Sequence, residues 1–449
     1  MSDLLGIGTA GLAAYRNALS AVGENVANAN TPGYARRRVV LEQSQITSRG
    51  DIAYGQQTLF NGVRTVGVER AWDAFKATEA RTATSGAARG EVRQQWLTNV
   101  EGALGDGSAG VGASLTRFFN AATSLAADPS APLGRVAMLT ALEDGATAFR
   151  NTAEALARVS EAVAESAESE IAALNGALAA LQDLNGAIRA AARGGSAGAS
   201  LEDQRDRLID QVAERIDVNV RINGDGTAAI TARGDANVVL LGPDRAALFS
   251  SARALDGRIS VQVSAGGTTI PAPIGGGRLA GLSDVAATTA DKRAALDALA
   301  ADVVATINGW NAGGLDANGA AGADLLAAPA GAASLRLLVS DPDRIAAASA
   351  DGRANGNLLT LEAMREASGV EDRWANIVSG HAQSLASAKA EAAASAAWRD
   401  LSRAALDEVT GVDLDHEAAE LLRYQQAYNA SARIIQVARE AIDALFAAL

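Results

Sequence analysis

The sequence predicts a mainly α-helical fold with a small β module: paired N- and C-terminal coiled-coil helices, a long helical rod domain and one inserted β-rich domain. Three observations lead there. The last stretch, 413–449, contains no Gly or Pro, and its Leu414, Ala418, Leu421, Gln425, Tyr428, Ala432, Ile435, Arg439, Ile442, Phe446 and Leu449 alternate steps of four and three, a heptad seam. The first residues repeat that alternation at Leu5, Gly8, Leu12, Tyr15, Leu19, Val22, Val26 and Ala29. Between about 217 and 277 the apolar period changes from helix to strand. A terminal helix of this length spans roughly 55 Å and needs a partner, which the opposite end of the chain offers. The middle then reads as an insertion between paired termini, with every heptad outside 217–277.

Composition bounds the chemistry. The 449 residues are rich in Ala and only 4% aromatic, so the cores are expected to be narrow helix–helix seams. Cysteine is absent, which removes disulfide and thiolate chemistry, and a zinc site would rest on His381 and His416 plus carboxylates. Both histidines read as solvated helix residues. A net charge of −13 argues against nucleic acid and anionic membrane as partners. Arg36, Arg37 and Arg38 are too few charges for a nucleic-acid site and read as a protein contact. No window is long and apolar enough to span a bilayer. The start lacks the features of a secretory signal peptide, which fits either a cytoplasmic chain or export without a cleaved signal.

Along the chain, the opening helix carries Gly6, Gly8, Gly11 and Gly23, each costing about 1 kcal/mol relative to Ala. Such a helix forms when something packs against it, and burial against neighbouring copies is expected to order both tails. It stops at Ala29, Asn30, Thr31, Pro32, Gly33 and Tyr34, where Pro32 and Gly33 supply the fixed φ and the positive φ of a type II turn. Extended segments follow at 34–42 and 62–70, then helices over about 71–104, 112–127 and 133–192, the last ended by the Gly/Ser/Ala run at 194–200. Residues 201–216 are amphipathic, with Leu201, Leu208, Val212 and Ile216 on one side. A hairpin spans 218–231 around Asn223-Gly224-Asp225-Gly226, and short strands continue at 237–241, 246–250, 258–264 and 268–270. Helix returns at 279–310, a loop fills 311–333, a strand is expected at 335–339, and helices at 355–366 and 373–408 lead to the terminal helix.

Three motifs invite a chemical reading and fail on context. Gly6-Ile7-Gly8-Thr9-Ala10-Gly11 matches the dinucleotide fingerprint, but it lies inside a heptad with no strand before it. Asp316, Asn318 and Asp324 lie in a Gly-rich loop but lack the closing Glu of a calcium loop. Asp413 and Asp415 beside His416 read as helix N-terminal caps. Catalytic, cofactor-binding and metal-binding residues are therefore expected to be none.

The segment ANTPGY at 29–34, after an amphipathic start, resembles the N-terminal signature of bacterial flagellar rod, hook and hook-associated proteins. With Gly62, Gly67, Val68, Arg70, Asp73 and Phe75, the segment LEDQRDRLIDQVAERIDVNV at 201–220 and the ending at 410–446, the chain resembles the FlgK family of hook-associated proteins. The resemblance implies a non-catalytic structural subunit without cofactors, outside the cell on the flagellum, exported through the flagellar type III route with no cleaved signal peptide. It implies as partners copies of itself in a tube, the hook protein on one side, a second junction protein towards the filament on the other, and an export chaperone on the C-terminal region. Residues 1–30 plus 412–449 match the inner coiled-coil domain, 31–216 plus 278–411 the helical rod domain, and 217–277 a small outer β module. The assembly seam is then expected at Leu5, Leu12, Tyr15, Leu19, Val22, Val26, Leu414, Leu421, Tyr428, Ile435, Ile442 and Phe446. An enzyme, another axial flagellar protein of hook or rod type, and a non-flagellar secreted coiled-coil protein are the alternatives.

Overall fold

The computed structural model describes residues 2–47, 58–191 and 196–447. Helix α1 (Ser2–Ala27) leads through a turn into an antiparallel hairpin of β1 (Arg37–Thr47) and β2 (Thr58–Arg70). The helical body begins with α2 (Ala74–Leu104), α3 (Val111–Ala127), α4 (Pro132–Ala190) and α5 (Ser196–Arg215). Six strands follow: β3 (Val218–Ile222), β4 (Ala228–Ala232), β5 (Val239–Leu241), β6 (Leu248–Arg253), β7 (Ile259–Ala265) and β8 (Thr268–Pro271). Then come α6 (Gly277–Ala312), the short pair β9 (Leu326–Ala327) and β10 (Arg336–Leu337), α7 (Gly356–Ser368), α8 (Val370–Thr410) and α9 (Leu414–Ala447). Gly194 and Gly195, expected to end the long helix, and the last seam residue Leu449 lie outside the described residues. The rest of that Gly/Ser/Ala run, from Ser196, is already the first turn of α5.

Local chemistry sets the boundaries. Asp73 caps α2, its carboxylate accepting from the N–H groups of Phe75 and Lys76, and Gly105 closes the helix in a left-handed conformation. The Thr31–Tyr34 turn is closed by Tyr34 N–H donating to Thr31 C=O at 3.1 Å, with Gly33 at φ 73°. The hairpin joins two segments that the sequence marks as extended but does not pair, because nothing like a two-residue turn connects them.

Two apolar cores fill the body. One gathers Phe118, Met138, Phe149, Trp310 and Trp374 from α3, α4, α6 and α8. The other runs from Leu174, Leu178 and Leu181 of α4, through Ile209 and Val212 of α5, into Ile230, Leu240, Val261 and Val263 of the strands. The strands thus share one core with α4, α5 and α6. Three-stranded sheets cannot bury both faces alone, and within the expected inserted domain 217–277 both β3-β4-β5 and β6-β7-β8 press one face on the helices.

Helix α4 also closes the exposed backbone of these sheets. Asn175 donates to the carbonyl of Phe249 at 2.9 Å and accepts from its N–H at 2.8 Å, on the outer edge of β6. Asn185 does the same to Ala228 at 2.8 and 2.9 Å, beyond the end of β5. Between them Gln182 donates to Asp244 C=O at 2.7 Å and accepts from Ala246 N–H at 2.8 Å. Residues 175, 182 and 185 share one helix face, so α4 acts as a further edge to the sheets.

Replacing Asn175 or Asn185 by Leu leaves two strand-backbone groups without a partner, which costs about 1–3 kcal/mol at each site. Urea denaturation is expected to shift accordingly, with amide exchange accelerated at Phe249 or Ala228. An unchanged exchange rate at both amides would show that the clamps do not hold the sheets.

Candidate assembly interface

Helices α1 and α9 pack antiparallel. The Asn25 amide donates to Glu417 at 3.0 Å at one end, the Tyr15 and Tyr424 rings stand 6.4 Å apart in the middle, and Gly11 and Gly8 meet Ser431 and Ile435 towards the other. A Cβ on Gly8 would lie 2.6 Å from Ile435 Cγ1, and one on Gly11 2.6 Å from Ser431 Oγ. The glycines that weaken α1 by propensity are therefore what lets α9 approach it. On another side of α1, Gly62 of β2 comes so close that a Cβ would lie 3.2 Å from the backbone of Ile7. Ala18, Ala21 and Val39 form a small apolar cluster there with Leu41, Val68 and Tyr424.

The buried face of α1 runs through Gly8, Gly11, Ala14, Ala18, Val22 and Asn25. Of the expected seam, Val22 is buried, Leu5, Leu12, Tyr15 and Leu19 are half-buried, and Val26 is exposed. Among the described residues of α9, Glu417, Ser431 and Ala438 are buried, with Leu421, Tyr424, Ala427, Ile435 and Ile442 half-buried. Leu414, Tyr428 and Phe446 flank this stripe and are exposed, Phe446 at 71%. Leu422 and Val437 lie on the opposite side at 58% and 60% exposure. Helix α9 thus presents apolar side chains on more sides than its one partner helix covers.

Of the turn residues, Asn30, Thr31, Pro32 and Gly33 are exposed, while Tyr34 points into a polar network that sequence reasoning did not find. Its hydroxyl donates to Asn25 Oδ1 at 2.8 Å, and burial pushes its pKa up to about 12 although Arg37 works against this. Asn25 also holds both backbone groups of Arg37, each at 2.9 Å. Arg37 reaches Glu24 at 2.8 Å and Asp203 at 2.9 Å. Arg70 reaches Asp206 at 2.9 Å and Glu202 at 3.2 Å, and its Nε lies 2.8 Å from Asp203 Oδ1 with the N–H turned off that oxygen. Burial opposes the Arg70 charge, and Asp206 and Asp203 outweigh it, so its pKa is raised. Arg81 pairs with Asp206 at 3.3 Å and Asp210 at 2.7 Å. The Arg70 and Arg81 guanidinium groups lie 5.1 and 5.6 Å from the Trp72 ring centre. The visible signal was Asp203, Asp206 and Asp210 at helical spacing; their arginines are scattered over 37–81 and are brought to them only by folding.

The remaining candidates have structural explanations. The Gly6–Gly11 run lies inside α1, without the strand-to-helix turn a dinucleotide needs. Asp316 accepts the N–H groups of Asn318 and Ala320, both at 2.9 Å, so its own loop satisfies it. Asp413 caps α9, accepting from Asp415 N–H at 2.9 Å, and His416 is exposed. His381 is not solvated, as expected from sequence, but buried between α8 and α2, with Nε2–H donating to Leu97 C=O at 2.9 Å. Burial lowers its pKa, the Leu97 contact and Glu101 opposing and Lys292 adding. Among the described residues no group of His, Cys, Asp or Glu is arranged to hold a metal ion, and no helix is long and apolar enough to cross a membrane.

Both ends of the chain match flagellar domains: residues 5–34 the flagella basal body rod protein profile, and residues 404–447 the flagellar basal body rod FlgEFG protein C-terminal profile. A helical body closed by such a terminal pair defines the class, a flagellar axial-type chain. The profile of the flagellar hook-associated protein FlgK helical domain matches residues 97–326, more than half of the sequence, and the chain belongs to the FlgK family. Flagellar hook-associated protein 1 of Salmonella typhimurium is 28% identical over 332 residues, 72% of this chain and 59% of that relative. That of Bacillus subtilis is 25% identical over an alignment of 501 residues covering 98% of this chain and 97% of the relative. The alignment to the Escherichia coli protein, at 26% identity, likewise spans only 60% of the relative. The solved flagellar hook junction protein FlgK from Burkholderia pseudomallei shares the fold, with a TM-score of 0.51 at 20% identity over 56% of this chain and 46% of that one.

Substituting Leu at both Gly8 and Gly11 is expected to push α1 off α9, an overpacking cost of about 1–3 kcal/mol per site. Hydrogen exchange should quicken across 414–446 while the body melts as before; undiminished protection there would show that the close approach is not needed. For His381 the folded pKa is depressed, so its contribution to stability is complete above the ordinary value of 6.5 and is lost as pH falls below it. Thermal melts of His381→Gln should therefore show a smaller drop in midpoint between pH 7.5 and 5.5 than the native chain; parallel slopes would exclude this histidine as a source of acid sensitivity.

Proposed function

We propose that the chain is a non-catalytic structural subunit of the junction between hook and filament in the bacterial flagellum, assembling with copies of itself through its terminal helices. The observation that carries this reading is the apolar surface of α9 that α1 leaves exposed, with Leu422 and Val437 on one side and Leu414, Tyr428 and Phe446 on another. A long helix apolar on several sides is suited to being surrounded by other helices. The family and the relatives' names support the flagellar setting, and the solved neighbour is titled a hook junction protein.

In this reading residues 1–30 and 412–449 face the inside of a tube, 31–216 with 278–411 form the surrounding wall, and 217–277 lies outermost. The hook protein and a second junction protein are the axial neighbours. Export proceeds without a cleaved signal, with a chaperone holding the C-terminal region. The expected seam residues Leu421, Ile435 and Ile442 serve the intrachain pair, and Leu414, Tyr428 and Phe446 serve the contacts between copies.

The test introduces Leu422→Asp and Val437→Asp together, placing two carboxylates where neighbouring helices would bury them. The purified monomer is expected to melt unchanged, while cells carrying the variant release filament protein into the medium instead of polymerising it. Normal filaments from the double variant would refute assembly through this face. Immunogold label along the whole hook, not at its tip, would favour the hook-type alternative.

A further inference from the structure

We infer that Asn175, Asn185 and Asn308 are deamidation sites that the native fold closes and the unfolded chain opens, so that time spent unfolded is recorded in the residues that seat the strands. Each is followed by glycine, as Asn-Gly at 175–176, 185–186 and 308–309. Each also clamps a backbone segment. Asn175 and Asn185 hold both backbone groups of Phe249 and Ala228. Asn308 accepts from the N–H groups of Leu325 and Leu326 at 2.9 and 3.0 Å and donates to Leu326 C=O at 2.9 Å.

Packing gives no reason for these glycines. All three lie inside α4 or α6, where glycine costs about 1 kcal/mol relative to alanine. A Cβ added at Gly176, Gly186 or Gly309 would meet no neighbour within 4 Å beyond the adjoining residues and its own helix backbone, in contrast to one at Gly8 or Gly90. What glycine supplies after an asparagine is chemical. Without a Cβ, its peptide nitrogen is unshielded and its backbone is free to turn towards the preceding side chain.

The reaction needs only water. The glycine nitrogen gives up its proton and bonds to the asparagine Cγ; the Cγ–Nδ2 bond breaks, and the side-chain nitrogen leaves as ammonia with that proton. Water then opens the five-membered imide. Attack at Cγ gives aspartate, and attack at the main-chain carbonyl gives isoaspartate, with the backbone rerouted through the side chain. In the fold this path is shut twice. A helical side chain leans towards the helix N-terminus, away from the next peptide nitrogen, and the N–H of that nitrogen is bound to the carbonyl four residues back. The clamp contacts then hold the carboxamide itself on its strand or loop.

Neither restraint survives unfolding, and the product cannot clamp. A carboxylate still accepts an N–H but has no hydrogen to donate, so at Phe249, Ala228 and Leu326 an oxygen would face a carbonyl oxygen left without a partner. Isoaspartate also inserts an extra methylene into the helix backbone. A chain altered before it folds has lost what seats its sheets, and refolding does not restore it.

The full chain tests this. One sample is held folded in mildly alkaline buffer and another in the same buffer with guanidinium chloride, and peptide mass spectrometry follows conversion of amide to carboxyl at each site. Asn318-Gly319, in an exposed turn, serves as the reference for the folded sample. Asn175, Asn185 and Asn308 are expected to convert in the unfolded sample and to stay intact in the folded one. After dilution, the fraction regaining exchange protection at Phe249 and Ala228 should fall with the time spent unfolded. The triple variant Gly176→Ala, Gly186→Ala and Gly309→Ala keeps every clamp but removes the reactive pairs, so its refolding yield should hold while that of the native chain falls. Three results would each overturn the proposal: no conversion at these sites in guanidinium chloride, equal conversion in both samples, or a triple variant that loses refolding yield as fast as the native chain. So would native stability in a chain carrying Asn175→Asp, Asn185→Asp and Asn308→Asp, because the product would then be harmless.

Discussion

Amide side chains on long helices hold the irregular and extended parts of this chain in place. Asn25 takes both backbone groups of Arg37, Asn175 those of Phe249 and Asn185 those of Ala228. Asn308 and Asn311 do the same for the segment after α6, Asn308 accepting from Leu325 and Leu326 and donating to Leu326 C=O, Asn311 bridging Ala323 and Ala346. A buried strand edge or loop has to satisfy its N–H and C=O groups, and a helix has no spare backbone to offer. One carboxamide presents a donor and an acceptor at the spacing of a strand residue, so a helix can stand in for a missing strand. With only 4% aromatic residues to thicken its cores, the fold depends on such contacts to fix where each segment lies.

The same scarcity of large side chains governs helix–helix packing. Gly8 and Gly11 admit α9, and Gly90 of α2 comes close enough to Ala392 of α8 that a Cβ would lie 3.0 Å from its Cα. Close backbones gain dispersion contacts along the whole length of a seam, which compensates for small side chains. The long helices are thus stable as neighbours and weak alone, in keeping with a protein whose terminal pair has further apolar surface to cover.

At the joint between the terminal pair and the body the chain changes from apolar packing to ion pairs. Arg37, Arg70 and Arg81 converge on Asp203 and Asp206 of one helix face, with the Trp72 ring beside the Arg70 and Arg81 guanidinium groups. Breaking such a buried pair by removing one partner is costly because it leaves a charge without compensation. The network therefore specifies a single geometry more than it adds adhesion. Specificity of this kind suits the one place where two units with separate cores meet.

Periodicity and punctuation alone determined most of the secondary structure. The heptads at both ends, the Pro32-Gly33 turn, the long uninterrupted helix up to about residue 190 and the switch to strands after residue 217 all follow from local preferences that each segment carries with it. Which face of each terminal helix is buried was decided by the tertiary structure. A heptad count gives weight to Leu12, Leu19 and Val26, whereas α9 and the hairpin crowding α1 select Gly11, Ala18 and Asn25, one residue away on the helix. Only folding could couple the strands to α4, bury His381, or gather arginines at 37, 70 and 81 onto α5. Those contacts join residues from 43 to 284 positions apart, and their energy comes from burial and mutual satisfaction, which exist only once the distant partner has arrived.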